Sequence, residues 1–314
     1  MIPFLLRRVA WMLPTLLGVS VIVFVTVKLI PGDPVAAMAG PGATPEAVAD
    51  LKSRLALDSP AYEQYFAWLG HALTGDLGES ITHHQETRPL VWDAFVNTAV
   101  LTGLAALFAA VLGIGLGVLG AVRPRGILGR LCSATTVTAV SAPQYSVALV
   151  FMTYLALRTG WFPVSGMHSV GETGLADLLH HAFLPALTAS LVCAGVVARM
   201  CRATLLDTMS EDFVEALRAR GLPERRVVAH ALHNTVPSLL TVAGLQLGYL
   251  VGGVVFVETV FSWPGIGLLV YQSISTRDLP VIQAGVLLTA VALVVANVLV
   301  DTARGLLDPR LRKA

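Results

Sequence analysis

Few side chains in this sequence are equipped for chemistry, and their spacing argues against catalysis. Three cysteines, Cys132, Cys193 and Cys201, each fall within or beside an apolar stretch. Cys193 and Cys201 are eight residues apart, which on one helix separates them by about 12 Å, too far for a disulfide. No CxxC or Cys/His spacing of a metal site occurs, so the cysteines read as small apolar fillers. Two histidine pairs, His83-His84 and His180-His181, invite a metal reading. Adjacent side chains rarely converge, however, and no acidic or thiolate ligand stands at metal spacing. They read as solvated loop histidines. Neither a GxSxG elbow nor an HExxH helix is present. The three lysines, Lys28, Lys52 and Lys313, follow no Gly-rich turn of the kind that cradles nucleotide phosphates. The chain is therefore expected to carry no catalytic set, no metal and no cofactor.

A second group of polar residues sits against apolar runs. Lys28, Arg199, Arg202, Asp207, Glu258 and Asp301 fall near the ends of such runs. Buried charge in a membrane marks function by default, but at run ends long basic side chains reach the interface. Glu258, in "VETVFSWPG", is the best functional candidate of the six because it adjoins an irregular segment. Gln144 and Tyr145 follow Pro143 inside another run, where a proline kink frees a backbone carbonyl. These three, Gln144, Tyr145 and Glu258, are the candidates for lining a pathway. Gly252 and Gly253 read as sites of close helix packing.

The elements that must position these residues are set by composition. Hydrophobic residues make up 55% of the 314 and charged residues only 13%, about half the charged share of a soluble domain. Net charge is +1, which lacks the basic excess of a nucleic-acid binder. Six stretches are long enough to cross a hydrocarbon core: Val9 to Ile30, Phe95 to Val122, Leu131 to Leu157, Ala182 to about Leu206, Thr235 to Val257, and Leu279 to Val300. The first follows Arg7 and Arg8, and Ala37-Met38-Ala39 resembles a cleavage site. Its apolar run exceeds the hydrophobic region of a signal peptide, so it reads as a retained helix. With the N-terminus in the cytoplasm, 15 of the 21 basic residues lie in inside segments. The positive-inside bias therefore predicts both termini cytoplasmic.

Two polar segments remain. Pro31 to Phe95 holds nine acids and three bases, a net of −6. Thr44-Pro45 and Ser59-Pro60 each look like a helix start, a capping hydroxyl followed by proline at the first helical position. Tyr62, Tyr65, Phe66, Leu69 and Leu73 recur at helical spacing in the second. These predict two short helices on the outer face, either a solvated cap or a docking surface.

The segment from Asp207 to Asn234 is too charged to cross a bilayer. Ser210 can cap a helix; Phe213, Val214, Ala216 and Leu217 make its apolar stripe, and Asp212, Glu215, Arg218 and Arg220 its polar rim. Gly221 suits a left-handed C-terminal cap, and Pro223 prevents continuation while starting a second helix. As a bare pattern this fits a helix lying on lipid or one offered to a groove in a cytoplasmic partner.

The motifs of the whole chain resemble a known family. "EALRARG" is similar to the EAA-type cytoplasmic motif of the inner-membrane permeases of bacterial ABC importers of the dipeptide, oligopeptide and nickel group. Glu215, Ala216 and Gly221 stand at its characteristic positions, and Leu217 replaces its second alanine. "HALHNTVP", "LLGVSVIVFVTVKLIPGDP", "GDLGES", "FVETVFSWPGIG", "RDLPVIQAGVLLTA" and "LVDTARGLLDPRLR" also resemble the group's first permease subunit, in the right order and over nearly the full length.

The resemblance implies an all-α membrane protein of about six transmembrane helices with the type I ABC importer permease fold. Its parts would be a first helix over 1–30, an extracytoplasmic helical cap over 31–94, a core over 95–309 with a coupling segment at 207–234, and a cytoplasmic tail at 310–314. It also implies a place in the bacterial inner membrane, in contact with lipid and with no nucleic acid. The expected partners are a second related permease, two ATP-binding subunits that hold ATP and Mg, and an external substrate-binding protein. Asp212, Phe213, Glu215, Ala216, Leu217, Arg218, Arg220 and Gly221 would couple to the ATP-binding subunit. The cargo would be peptides, nickel, metal chelates or peptide-like solutes. An ion-coupled secondary transporter is the alternative; the absence of an internal repeat or of an acidic pair at mid-membrane depth argues against it.

Overall fold

The computed structural model describes residues 2–29, 44 and 59–307, with side chains for 10–29, 44 and 59–302. The helix expected after Thr44-Pro45, the Ala37-Met38-Ala39 stretch and the tail at 310–314 lie outside the described residues. Those described form helices and loops, with one isolated antiparallel bridge between Glu79 and Glu86. The helices are α1 (Ile2–Leu29), α2 (Ala61–Thr74), α3 (Thr87–Val122), α4 (Ile127–Ser141), α5 (Gln144–Phe151), α6 (Leu175–Met209), α7 (Asp212–Ala219), α8 (Glu224–Phe261), α9 (Ile266–Thr276) and α10 (Leu279–Leu307). A π-helical stretch, Met152–Arg158, continues α5. Helices α1, α3, α6, α8 and α10 are each long and apolar enough to span a membrane. α3 and α8, of 36 and 38 residues, run to about 55 Å, well beyond the hydrocarbon thickness.

The expected third span departs from its sequence reading. In place of one helix kinked at Pro143, α4 and the α5–π stretch meet at 108°. Pro143 occupies the N-cap of α5, and Ala142 before it is extended, with φ −75° and ψ 128°. A proline ring forces its predecessor out of the helical region, so the helix ends rather than bends.

Two compact units divide the described chain. The first comprises Ala99–Trp263 with α10 from Val295 and the first residues of α1. Its core gathers Leu101, Leu184, Val254, Phe261 and Trp263, all essentially sealed from solvent. Within it α3 and α6 run parallel in matched register: Gly113 faces Val197, and Gly117 faces Cys201. A Cβ on Gly117 would stand 2.6 Å from that of Cys201, so only glycine admits the approach. Parallel neighbours need one return crossing between them. The bent α4–α5 pair supplies it and makes the sixth span. Near the end of α3, the Arg202 Nε donates to the carbonyl of Gly120 at 3.2 Å, so this arginine satisfies a helix terminus.

The second unit comprises Leu6–Thr98 and Pro264–Val294. Val91 and Ala94 of α3 pack with Ile266 and Leu269 of α9 and Val281 and Ala284 of α10. The Thr98 hydroxyl accepts the Ile266 N–H at 2.8 Å and so caps α9 from another element. Ser59 and Pro60 precede α2 as expected, one position out of step: Pro60 is its N-cap, and no side chain caps the helix.

Candidate functional site

The coupling candidates come together on α7 and its turn. α6 ends when the Ser210 hydroxyl folds back to the carbonyl of Asp207 at 2.6 Å. Ser210 thus closes α6 and does not cap α7, whose N-cap is Glu211. The C-terminus of α7 forms as anticipated. Gly221 has φ +79°; its N–H donates to Arg218 O at 2.9 Å, and the Leu222 N–H donates to Leu217 O at 3.3 Å. This pair of bonds is the Schellman motif, which needs a residue in the left-handed region where glycine carries no Cβ penalty. Arg218 clamps the turn from outside. Its Nη2 and Nε reach the two carboxylate oxygens of Glu224, at 2.8 and 3.3 Å. That hydrogen bond shifts the Arg218 guanidinium pKa upward.

The two faces of α7 differ from the simple stripe. Val214 is wholly buried within this chain, and Phe213 and Leu217 are half-buried beside it. Asp212, Glu215, Ala216 and Ala219 form the exposed row at helical spacing, and Arg220 and Gly221 are exposed beyond it. Val214, expected on the inserting face, is instead an inward anchor. The outward row is acidic and alanine-rich, a low surface on which another backbone can approach closely.

The pathway candidates differ in their surroundings. Gln144 lies over Gly253 of α8, where a Cβ would meet its Oε1 at 2.9 Å. Gly253 thus serves close packing, whereas Gly252 has open space around it. Tyr145 is exposed. Glu258 is wholly buried in the α8 end that contributes Val257 and Phe261 to the first unit's core.

Histidine readings divide as well. His83 and His84 stand exposed in the 81–86 loop, as read. His180 and His181 lie in α6, not in a loop, and His181 is buried. His180 meets the Trp161 carbonyl at 2.9 Å. His181 contacts the Asp177 carboxylate at 3.3 Å. Asp177 itself collects the His168 ring at 2.9 Å and the Ser169 N–H and hydroxyl at 3.0 and 2.8 Å. This hub, which ties the loop before α6 to its first turn, was missed; Asp177 beneath a Gly-rich loop was the available signal. A second missed acid is Asp278, fully buried, which accepts from the Ser80 hydroxyl at 2.5 Å and the Thr82 N–H at 3.0 Å. Among the described residues no three metal-binding side chains converge. The three cysteines are free and buried.

Comparison with known proteins bears on this architecture directly. Residues 113–313 match the binding-protein-dependent transport system inner membrane component, and residues 1–110 match the N-terminal region of the same transport-system membrane components. The chain belongs to this family. It is thus a multi-pass membrane permease component of an ABC importer. A di/tripeptide transport system permease of Pseudomonas aeruginosa is 36% identical, over 99% of both chains. A glutathione transport system permease of Salmonella paratyphi A is also 36% identical over 99% of both. A dipeptide transport system permease of Alkalihalophilus pseudofirmus is 32% identical over 99% of this permease and 100% of the relative. In three dimensions the permease resembles the inward-facing MetNI methionine ABC transporter, with TM-score 0.55 at 20% identity over 70% of this chain and 96% of that one. That likeness shows the type I importer permease fold.

Proposed function

We propose that this permease forms half of a translocation pathway for peptides or peptide-like solutes, paired with a second, related permease. Two ATP-binding subunits holding ATP and Mg would drive it, and an external binding protein would deliver the cargo. The chain itself would hold no cofactor. The observation that carries this reading is α7: a short helix between α6 and α8, fixed by the Gly221 turn and the Arg218–Glu224 clamp, with an exposed row at Asp212, Glu215, Ala216 and Ala219. Such a helix suits a groove on an ATP-binding partner. Asp212, Glu215, Arg218 and Arg220 would fix its register, and Ala216 and Ala219 would let it seat closely. Phe213 and Leu217 would contribute their partly exposed edges.

ATP binding would draw the partner subunits and their coupling helices together, opening the pathway outward; hydrolysis would reset it. With α7 on the cytoplasmic side, both termini are cytoplasmic. Peptide cargo is favoured over nickel because the compared relatives are named for di/tripeptides, dipeptides and glutathione. The test is co-purification of the tagged chain from its native membranes with mass spectrometry of what accompanies it. Recovery of an ATP-binding subunit and a second permease supports the proposal. A homo-oligomer free of any ATPase, from membranes that contain those subunits, would overturn it in favour of a secondary transporter.

A further inference from the structure

Helix α2 was expected to pack on the membrane's outer face. Its contacts place it lower. The Tyr65 hydroxyl bonds to the Ser20 hydroxyl at 2.8 Å, and Ser20 is buried, nine residues before the end of α1. At a helical rise this lies about 13 Å below the end of a helix whose apolar span is Ala10–Leu29. The Phe24 ring stacks edge-on against Tyr65 and also meets Trp68. Lys28, nearer the end, donates to Gln64 at 3.2 Å. α2 therefore crosses α1 around Phe24, inside the span.

The faces of α2 follow from a turn of about 100° per residue. Gln64 points toward the outer end of α1, and Tyr65 toward its interior. Continuing round the helix in the same sense comes a stripe of Tyr62, Phe66 and Leu73, which are 63%, 66% and 80% exposed. On the other side, beyond Gln64, lie Glu63, His71 and Thr74, also exposed. So the large apolar side chains face the depth at which α1 shows Val21, Ile22 and Val25 outward, and the polar side chains face away from it. α2 carries no lysine or arginine.

We propose that α2 is a membrane-interface helix, sunk into the leaflet at the C-terminal end of α1, with Tyr62, Phe66 and Leu73 inserted among lipid acyl chains. The occupant of this face is lipid because the stripe continues the apolar surface of a spanning helix at the same depth. Aromatic side chains favour that level, and an apolar stripe opposite a polar face is what an in-plane helix needs.

The test uses the full-length chain reconstituted into phosphatidylethanolamine–phosphatidylglycerol vesicles. Phe66→Cys and Thr74→Cys variants each receive a nitroxide label, with the unmutated chain, whose cysteines are buried, as the blank. Collision with oxygen, which concentrates in the acyl region, is compared with collision with a water-soluble nickel chelate. The label at 66 is expected to show a several-fold higher oxygen-to-nickel ratio than the label at 74. Equal, nickel-accessible labels would overturn the proposal in favour of a water-exposed cap. A label at 66 shielded from both probes would overturn it in favour of a protein-covered face.

Discussion

Replacing Gly117 by alanine would set a methyl carbon 2.6 Å from the Cys201 Cβ, and 2.9 Å from both the Cys201 sulfur and the Ala198 carbonyl oxygen. A side-chain end can swing aside, but a backbone carbonyl within a helix cannot. Ordinary contact begins near 3.4 Å, so α3 and α6 must part by about 0.8 Å at this level, in an interior that packs like a crystal. The same opening would loosen Gly113 on Val197 and lengthen the Arg202 bond to Gly120. Overpacking of this kind costs about 1–3 kcal/mol. The control lies two residues away: Gly115 has nothing within 4 Å of an added Cβ, so Gly115→Ala should be neutral. The assay is thermal denaturation of the detergent-solubilised importer, followed by loss of the monodisperse chromatographic peak. Gly117→Ala is expected to lower the midpoint and Gly115→Ala to leave it in place. Equal midpoints for the two would refute the packing argument for α3 and α6.

Gly221→Pro should abolish ATP-dependent uptake in proteoliposomes while membrane insertion stays normal, because proline can neither adopt φ +79° nor donate to Arg218. Glu215→Arg, which reverses charge on the outward row of α7, should do the same; normal uptake by both variants would remove α7 from the mechanism. Asp278→Ala leaves the Ser80 hydroxyl and Thr82 N–H without their acceptor and is expected to cost about 2–5 kcal/mol, read as a lower unfolding midpoint, with Asp278→Asn intermediate. Asp177→Ala should free Ser169 and His168 and speed amide exchange across residues 162–174 on the order of tenfold, with exchange in α7 unchanged.

The spans were legible because twenty apolar residues in a row have one physical use. The turn at Gly221-Leu222-Pro223 was legible because its bonds are local and its residue types are specific to it. What escaped depended on distance along the chain. Ser210 has the right hydroxyl for either neighbouring helix, and nothing local says that it folds back on α6. Pro143 marks a disturbance, but a kink and a 108° break share the same sequence cue. The glycines of "GIGLGVLG" gave no sign of which face α6, because that is set by the register with Val197, Cys201 and Arg202. Asp278 resembles any loop acid until its donors are brought to it, and Asp177 had only the Gly-rich loop before it as a cue. The seat of α2 on α1 was hidden in pairs far apart in sequence, among them Ser20 and Tyr65, 45 residues apart.

The tie between Ser80 and Asp278 joins positions separated by 198 residues. Val91 and Ala94 likewise wait for Ile266, Val281 and Ala284 to complete their core. A ribosome adding 5–20 residues per second needs about 10–40 s to cover that interval. Throughout it the early part of this unit has been made and its closing piece does not yet exist. Biogenesis of this protein therefore includes an obligatory holding stage, during which apolar side chains of α3 must be shielded by lipid or by the insertion machinery until the last helices arrive.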